Sequence, residues 1–330
     1  MIWEHPKINA MMILCVSAAL RLTHYMRVLI VGCGYVGLPL AAEMIRQGHQ
    51  VWGLRRTSSD ALRVAGVTPF MGDITRPETL AGLPRDFDWV VNCAATGGGG
   101  LEDYRRLYLE GTRNLIEWLV PSSFSKNPKA VRRPTESGPR YVYTSSTGVY
   151  GQNDGSLVDE TSATEPTSET AQVLVATEKF LLATARENNF PAMILRTAGI
   201  YGPDRGYLLK QFLRGDARIE GEGARMLNMI HRDDLIASII AALERGRAGE
   251  IYNVVDNEPV SQLDFFRWLA ATLGKPMPSI LAEDTDVPRK RGLTNKRISN
   301  RKLHAELGLE LKFPDYRSGY ANEIQRMRQG

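Results

Sequence analysis

A glycine pattern, Gly32-Cys33-Gly34-Tyr35-Val36-Gly37, stands between an apolar run at Val28–Val31 and a stretch of helical periodicity at Val36–Arg46. It narrows the choice of folds more than any other segment. Glycine at 32 permits a tight turn out of a strand, glycine at 34 lets backbone N–H groups approach a phosphate, and glycine at 37 lets the helix pack closely on the strand. The helix N-terminus beyond it adds positive potential for an anion. With both flanks present, the pattern predicts a dinucleotide-binding turn that includes the backbone of Tyr35 and Val36; a purely structural turn is the alternative.

The rest of the chain repeats the same alternation. β-rich runs at Val28–Val31, Gln50–Leu54, Val67–Met71, Trp89–Asn92, Tyr141–Thr144 and Ala192–Leu195 are separated by apolar-periodic segments at Val36–Arg46, Leu101–Val120 and Ala171–Glu187. Strands alternating with crossover helices give an α/β class, a Rossmann-type doubly wound parallel sheet. Beyond about Gly202 the texture changes to short mixed elements with amphipathic runs at Gln262–Leu273 and Pro314–Met327, which predicts a smaller C-terminal α/β substrate region. We therefore expect a dinucleotide-binding domain over 26–200, with 229–256 returning to it, and a mainly substrate-binding region over 201–330. The apolar run Met11–Leu20 is too short to span a bilayer. With a strand beginning almost at once after Met26, residues 1–25 read as an upstream extension, with secretion the alternative.

Charge excludes one class of partner. Of 41 Lys+Arg against 37 Asp+Glu, five basic residues (Lys126, Lys129, Arg132, Arg133, Arg140) and one acid (Glu136) fall within 121–140, leaving 36 against 36 elsewhere. The excess belongs to one polar segment, read as an inserted surface loop, and forms no basic stripe of the kind nucleic acids require. Cys15, Cys33 and Cys93 have no metal-ligand spacing, so no metal site is expected and a reducing cytoplasm fits.

The dinucleotide is selected at the end of the second strand, about 20 residues on, where an acid would bind the ribose 2′-hydroxyl of NAD. The sequence there is Leu54-Arg55-Arg56-Thr57-Ser58, with no carboxylate. Two guanidinium groups with hydroxyl donors suit a 2′-phosphate and predict NADP, with NAD possible; two solvated arginines are the alternative. Asp73, in Met71-Gly72-Asp73-Ile74, is either an acceptor for the adenine amino group or a helix cap.

These residues resemble the extended short-chain dehydrogenase/reductase superfamily, of the NAD-dependent epimerase/dehydratase type. The resemblance is carried by the glycine turn, Gly72-Asp73, Asn92-Cys93-Ala94-Ala95, Tyr143–Gly151, Leu195–Pro203, Ile230–Leu235 and Ile251–Val254. It implies that Ala94 and Ala95 flank the cofactor, and that Ser146, with Thr147 assisting, hydrogen-bonds the reacting oxygen. It also implies a Tyr-x-x-x-Lys pair, yet none of the twelve tyrosines has lysine four positions on. Aligning Glu178 with the acid that follows the pair puts Thr170 and Leu174 in its place, so the chain resembles the atypical branch of the superfamily. A phenol acting as general acid and base is worth ~10²–10⁴ in rate. Two functions follow: an oxidoreductase or epimerase/dehydratase-like enzyme acting on a nucleotide sugar or small hydroxylated compound, or an NADP-binding sensor without turnover. No membrane partner is expected, and a monomer or a homodimer fits equally. Tyr150 and Tyr201 read as structural, His231 as a structural residue before a helix cap, and Cys93 as buried and inert.

Overall fold

The computed structural model describes residues 25–57, 60–120, 138–280 and 294–329. Residues 1–24, Ser58 and most of the polar segment 121–140 lie outside them. Seven parallel strands form the central sheet: β1 (Arg27–Val31), β2 (Gln50–Arg55), β3 (Thr68–Met71), β4 (Trp89–Asn92), β5 (Arg140–Ser146), and, beyond the short β6 (Leu157–Val158), β7 (Ala192–Thr197) and β12 (Ile251–Val254). Their order is β12-β7-β5-β4-β1-β2-β3, so the winding reverses between β1 and β4. Ligands of doubly wound sheets bind in the crevice at such a reversal. Helices cover both faces: α1 (Gly37–Arg46), α2 (Asp60–Val64), α3 (Leu101–Tyr104), α4 (Gly111–Leu119), α5 (Glu169–Asn188) and α7 (Arg232–Arg245).

Burial on both faces explains why the strands read as continuous apolar runs. Along β1, Val28 and Ile30 pack with Leu40, Met44, Ile239 and Leu243, while Leu29 and Val31 pack with Leu115, Ile116 and Leu181 on the other face. That is the period-2 alternation of a strand, filled with apolar residues at every step.

The C-terminal part is built from α6 (Tyr207–Arg214), α8 (Gln262–Leu273), α9 (Arg301–Leu307) and α10 (Tyr316–Gln329). Two-residue and three-residue strands lie among them: β8 (Gly199–Tyr201), β9 (Arg218–Ile219), β10 (Met226–Leu227), β11 (Met229–His231), β13 (Val260–Ser261), β14 (Ser279–Ile280) and β15 (Arg297–Ile298). They pair as β11 with β8, β10 with β13, β14 with β9 and β15 with β6. An aromatic cluster holds this part together: Tyr201 stacks on Tyr320 with centroids 4.2 Å apart, and Phe265 lies against Tyr316 and Tyr320. Tyr201 also needs Gly319, because a Cβ there would stand 1.9 Å from its hydroxyl.

Two expectations change. The segment Leu101–Val120 is not one regular helix: a π-helical turn over Arg105–Glu110 separates α3 from α4. Through that widened turn Tyr104, Leu107 and Tyr108 face the cleft, while a Cβ on Gly111 just beyond it would stand 2.9 Å from Ile74. Arg140 does not belong to a solvated loop either. It begins β5, and its guanidinium donates to the carbonyls of Leu243 (2.5 Å), Ala242 (3.2 Å) and Gly246 at the C-terminal end of α7, where helix carbonyls lack partners and a cation is favoured.

Candidate active site

A cleft of about 1400 Å³ runs along the C-terminal ends of β1, β2, β4 and β5. Its floor is the glycine turn. Gly32 has φ +89°, and a Cβ there would meet the Ala94 backbone at 2.6 Å; a Cβ on Gly37 would meet the Gly32 carbonyl at 2.5 Å. Those two glycines press the turn onto the end of β4 and the start of α1. Gly34 differs, since a Cβ there meets nothing within 4 Å and would project into open space. Helix α1 begins with no side-chain cap and no acid in its first turn, which leaves its N-terminal end electropositive. Cys93 sits half-buried beneath the turn, donating to the carbonyls of Val31 and Gly32 at 3.4 Å. Burial pushes its thiol up, and pushes that of Cys33 up to about 12, so both are protonated and unreactive at neutral pH.

Tyr35 and Val36 also line the cleft, with Ala94 and Ala95 opposite. The guanidinium groups of Arg205 and Arg232 lie 5.0 Å and 5.3 Å from the centre of the Tyr35 ring. The Asn92 side chain secures the loop after β4, accepting from Ala94 N at 3.3 Å and donating to Tyr141 and Thr112. Arg55, Arg56 and Thr57 line the cleft at the end of β2; Arg55 is half-buried, and the two residues after it are exposed. Asp73 lines it at the end of β3, but it caps no helix. Its Oδ1 accepts from Thr75 N (2.9 Å) and Thr75 Oγ1 (2.8 Å), closing an Asx turn, while the next helical turn begins after Arg76.

At the far end, β5 delivers Ser145 and Ser146 to opposite faces. Ser146 faces the cleft and its Oγ accepts from Gly148 N at 3.1 Å, capping a 3₁₀ turn over Thr147–Val149. Its hydroxyl proton is not used in that bond and can be given to another oxygen. Thr147 lines the cleft beside it but is 9% exposed. Ser145 turns inward, donating to Glu178 at 2.5 Å; Glu178 in turn pairs with Arg196 at 2.8 Å, both side chains nearly fully buried. Arg196 donates to the Tyr150 hydroxyl at 2.9 Å, and Tyr150 donates to Asn253 at 2.8 Å. Tyr150 is thus a structural link beneath the site, and burial pushes its phenol up to about 12. Helix α5 presents Thr170 and Leu174 to the cleft, with Thr170 Oγ1 2.9 Å from Ser168 Oγ.

His231 caps α7: its Nδ1 accepts from Asp233 N at 3.2 Å, leaving Nε2 to donate to Glu323 at 3.3 Å. Desolvation holds its pKa below the ordinary histidine value. Among the described residues no group of three or more His, Cys, Asp or Glu could hold a metal ion, and no helix is long and apolar enough to cross a membrane.

One cleft residue escaped the sequence reading. Lys296, just before β15, is 3% exposed and lines the wall, with Nζ donating to the Tyr150 carbonyl at 2.6 Å and to Thr294 Oγ1 at 2.9 Å. It sits within Arg289-Lys290-Arg291-Gly-Leu-Thr-Asn-Lys296-Arg297, which reads as solvated charge, and no local pattern distinguishes it.

The sequence model described as "NAD dependent epimerase/dehydratase family" matches residues 28–255, more than half the chain. The chain belongs to that family. It is 28% identical over 301 residues to Protein YeeZ of Escherichia coli (strain K12), covering 88% of this chain and 97% of that protein. It is 29% identical over 279 residues to a 3-beta-hydroxysteroid dehydrogenase of Mycolicibacterium neoaurum, covering 77% and 72%. Among solved structures, a functionally unknown conserved protein from Silicibacter pomeroyi superposes with TM-score 0.72 at 27% identity, over 91% of this chain and 99% of that one. A UDP-glucose 4-epimerase of Thermotoga maritima, solved with UDP-glucose, superposes with TM-score 0.75 at 22% identity over 92% and 99%, a likeness of fold.

Proposed function

We propose that this family member is an NADP-preferring oxidoreductase acting on a small hydroxylated compound or a nucleotide sugar. The observation that carries the reading is the edge of the cleft at β2, where Arg55, Arg56 and Thr57 stand in place of a ribose-binding acid. The turn fits a dinucleotide pyrophosphate, since Gly32 and Gly37 close it against β4 and α1 while Gly34 opens into the cleft. In this reading the backbone from Gly32 to Gly37 holds the pyrophosphate, Arg55 and Arg56 pair with a 2′-phosphate, and Thr57 donates to it. Ala94 and Ala95 let the cofactor lie close to β4, and Asp73, with Oδ1 committed to its turn, has Oδ2 for the adenine amino group. A bound nicotinamide would supply or accept the hydride; Ser146, assisted by Thr147, would hold the substrate oxygen beside it. The names of the hydroxysteroid dehydrogenase relative and of the structure holding UDP-glucose agree with a hydroxylated substrate. A cytoplasmic setting suits the free thiols of Cys33 and Cys93.

Thr170 and Leu174 on the wall of the cleft favour a second reading, an NADP-binding sensor without turnover, because neither can replace a phenol and its lysine. Mass spectrometry of small molecules that co-purify, followed by calorimetric titration with NADPH and NADH, tests both. Tighter NADPH binding with a recovered hydroxylated metabolite supports the enzyme, and NADPH alone supports the sensor. Equal affinity for the two cofactors removes the NADP preference.

A further inference from the structure

We infer that Lys296 is a binding site for an anionic group of the substrate, a carboxylate or a phosphate, placed about one 3₁₀ turn from the reacting oxygen. The inference deepens the proposed oxidoreductase reading and rests on it for the position of the reacting oxygen. Three observations lead to it.

Lys296 is a buried amine whose neighbours are both uncharged. Its Nζ donates to a carbonyl and a hydroxyl, and among the described residues no carboxylate forms an ion pair with it. An ammonium has three donors, so one remains for a ligand, and a buried cation without a counter-charge is costly unless an anion joins it. Desolvation accordingly lowers its pKa to about 8, which leaves it mostly cationic at neutral pH. The second observation is the charge of the wall. Among the described residues Asp73 is the sole acid lining the cleft, and it stands at the β3 end; the opposite part is lined by Arg205, Arg225 and Lys296. Arg225 is matched by Glu220 at 3.4 Å; Arg205 is exposed and lies on the Tyr35 ring, while Lys296 lies 6.0 Å from the Tyr150 ring, so Lys296 is the buried cation there with no carboxylate partner among the described residues.

The third observation sets the spacing. Tyr150, whose carbonyl anchors Nζ, closes the 3₁₀ turn that Ser146 caps. A three-residue turn of this kind rises roughly 6 Å. A compound whose hydroxyl or carbonyl rests on Ser146 and whose anionic group rests on Lys296 is therefore a short oxo or hydroxy acid, or a short hydroxylated phosphate ester.

The test uses the full chain saturated with NADPH, so that the arginines at β2 are occupied, and titrates it calorimetrically with oxalate and with inorganic phosphate. Failure of NADPH to bind in the first step would count against the cofactor reading and is seen separately from the anion result. We expect one of the two anions to bind the NADPH complex, the preferred one indicating carboxylate or phosphate. Lys296→Met should weaken it at least tenfold with NADPH affinity unchanged. Should that variant lose its fold, Lys296→Gln replaces it. In the unmodified protein, the affinity for whichever anion binds should also fall several-fold between pH 8 and 9 as Lys296 loses its charge. Equal anion affinity in a folded Lys296 variant, no pH dependence, or no anion binding to the NADPH complex would each overturn the inference.

Discussion

Gly34→Val separates the role of the glycine turn in folding from its role in binding, because the three glycines of the turn have different surroundings. A Cβ at 34 meets nothing within 4 Å, whereas one at 32 would stand 2.6 Å from the Ala94 backbone in a residue with φ +89°. Valine at 34 should therefore change stability by no more than about 1 kcal/mol, since its Cβ meets no neighbour and it restricts the unfolded chain. Alanine at 32 should cost at least ~2 kcal/mol from left-handed strain and overpacking. For binding the order reverses. A ligand at 100 times its Kd stabilises by ~2.7 kcal/mol, which for a chain of this size raises Tm by roughly 5 °C. The isopropyl group of Gly34→Val would fill the space above the turn and abolish that shift. The assay is thermal denaturation of both variants with and without saturating NADPH. A full NADPH shift in Gly34→Val, or destabilisation equal to that of Gly32→Ala, would refute the reasoning.

Replacing Arg55 and Arg56 together with alanine removes two charge-assisted contacts of ~1.5–3 kcal/mol each, so NADPH affinity should drop well over tenfold while NADH affinity is unchanged in parallel calorimetric titrations. Thr170→Tyr with Leu174→Lys should raise any turnover of a nucleotide sugar, read by coupled assay; rapid turnover by the unmodified chain would mean another residue already supplies the proton. Glu178→Leu leaves Arg196 buried without its carboxylate and should cost ~3–5 kcal/mol in urea denaturation; a loss under 1 kcal/mol would show that the pair is not needed. His231 has a folded pKa below its ordinary value of 6.5, so below that pH the unfolded chain binds more protons and stability falls as the solution is acidified. His231→Asn, which can keep the cap, should flatten the fall in urea midpoint from pH 7 to 5.

The parts of the site readable in the chain were those with local geometry. Gly32, Gly34 and Gly37 show themselves because a strand-turn-helix junction of six residues needs all three, and Val28–Val31 is apolar throughout because helices cover both faces of the sheet. Arg140 and Lys296 were not readable for the opposite reason. Each is a cation in a basic stretch, and what takes it out of solvent lies about a hundred residues away or more, at the carbonyls of Leu243 and Gly246 in one case and of Tyr150 in the other. Asp73 was open between an adenine acceptor and a helix cap because a short carboxylate can serve either, and the Asx turn it closes on Thr75 was in neither reading. The π-helical turn left no sign, since Leu101–Val120 keeps its apolar periodicity through it.

The way α10 closes the aromatic cluster has a bearing on how the chain is made. Gly319 and Tyr320 pack on Tyr201, and Glu323 meets His231 from 92 residues further along, so α10 supplies a wall for strands far earlier in the chain. During synthesis domains assemble from the N-terminus as chain emerges. Six of the seven sheet strands, with the glycine turn among them, can assemble while the C-terminal part is still being translated. The face carrying Tyr201 and Phe265 stays uncovered until α10 has left the ribosome. The nascent protein thus has its glycine turn well before its C-terminal aromatic cluster is closed, and removing α10 would leave that aromatic face open to aggregation.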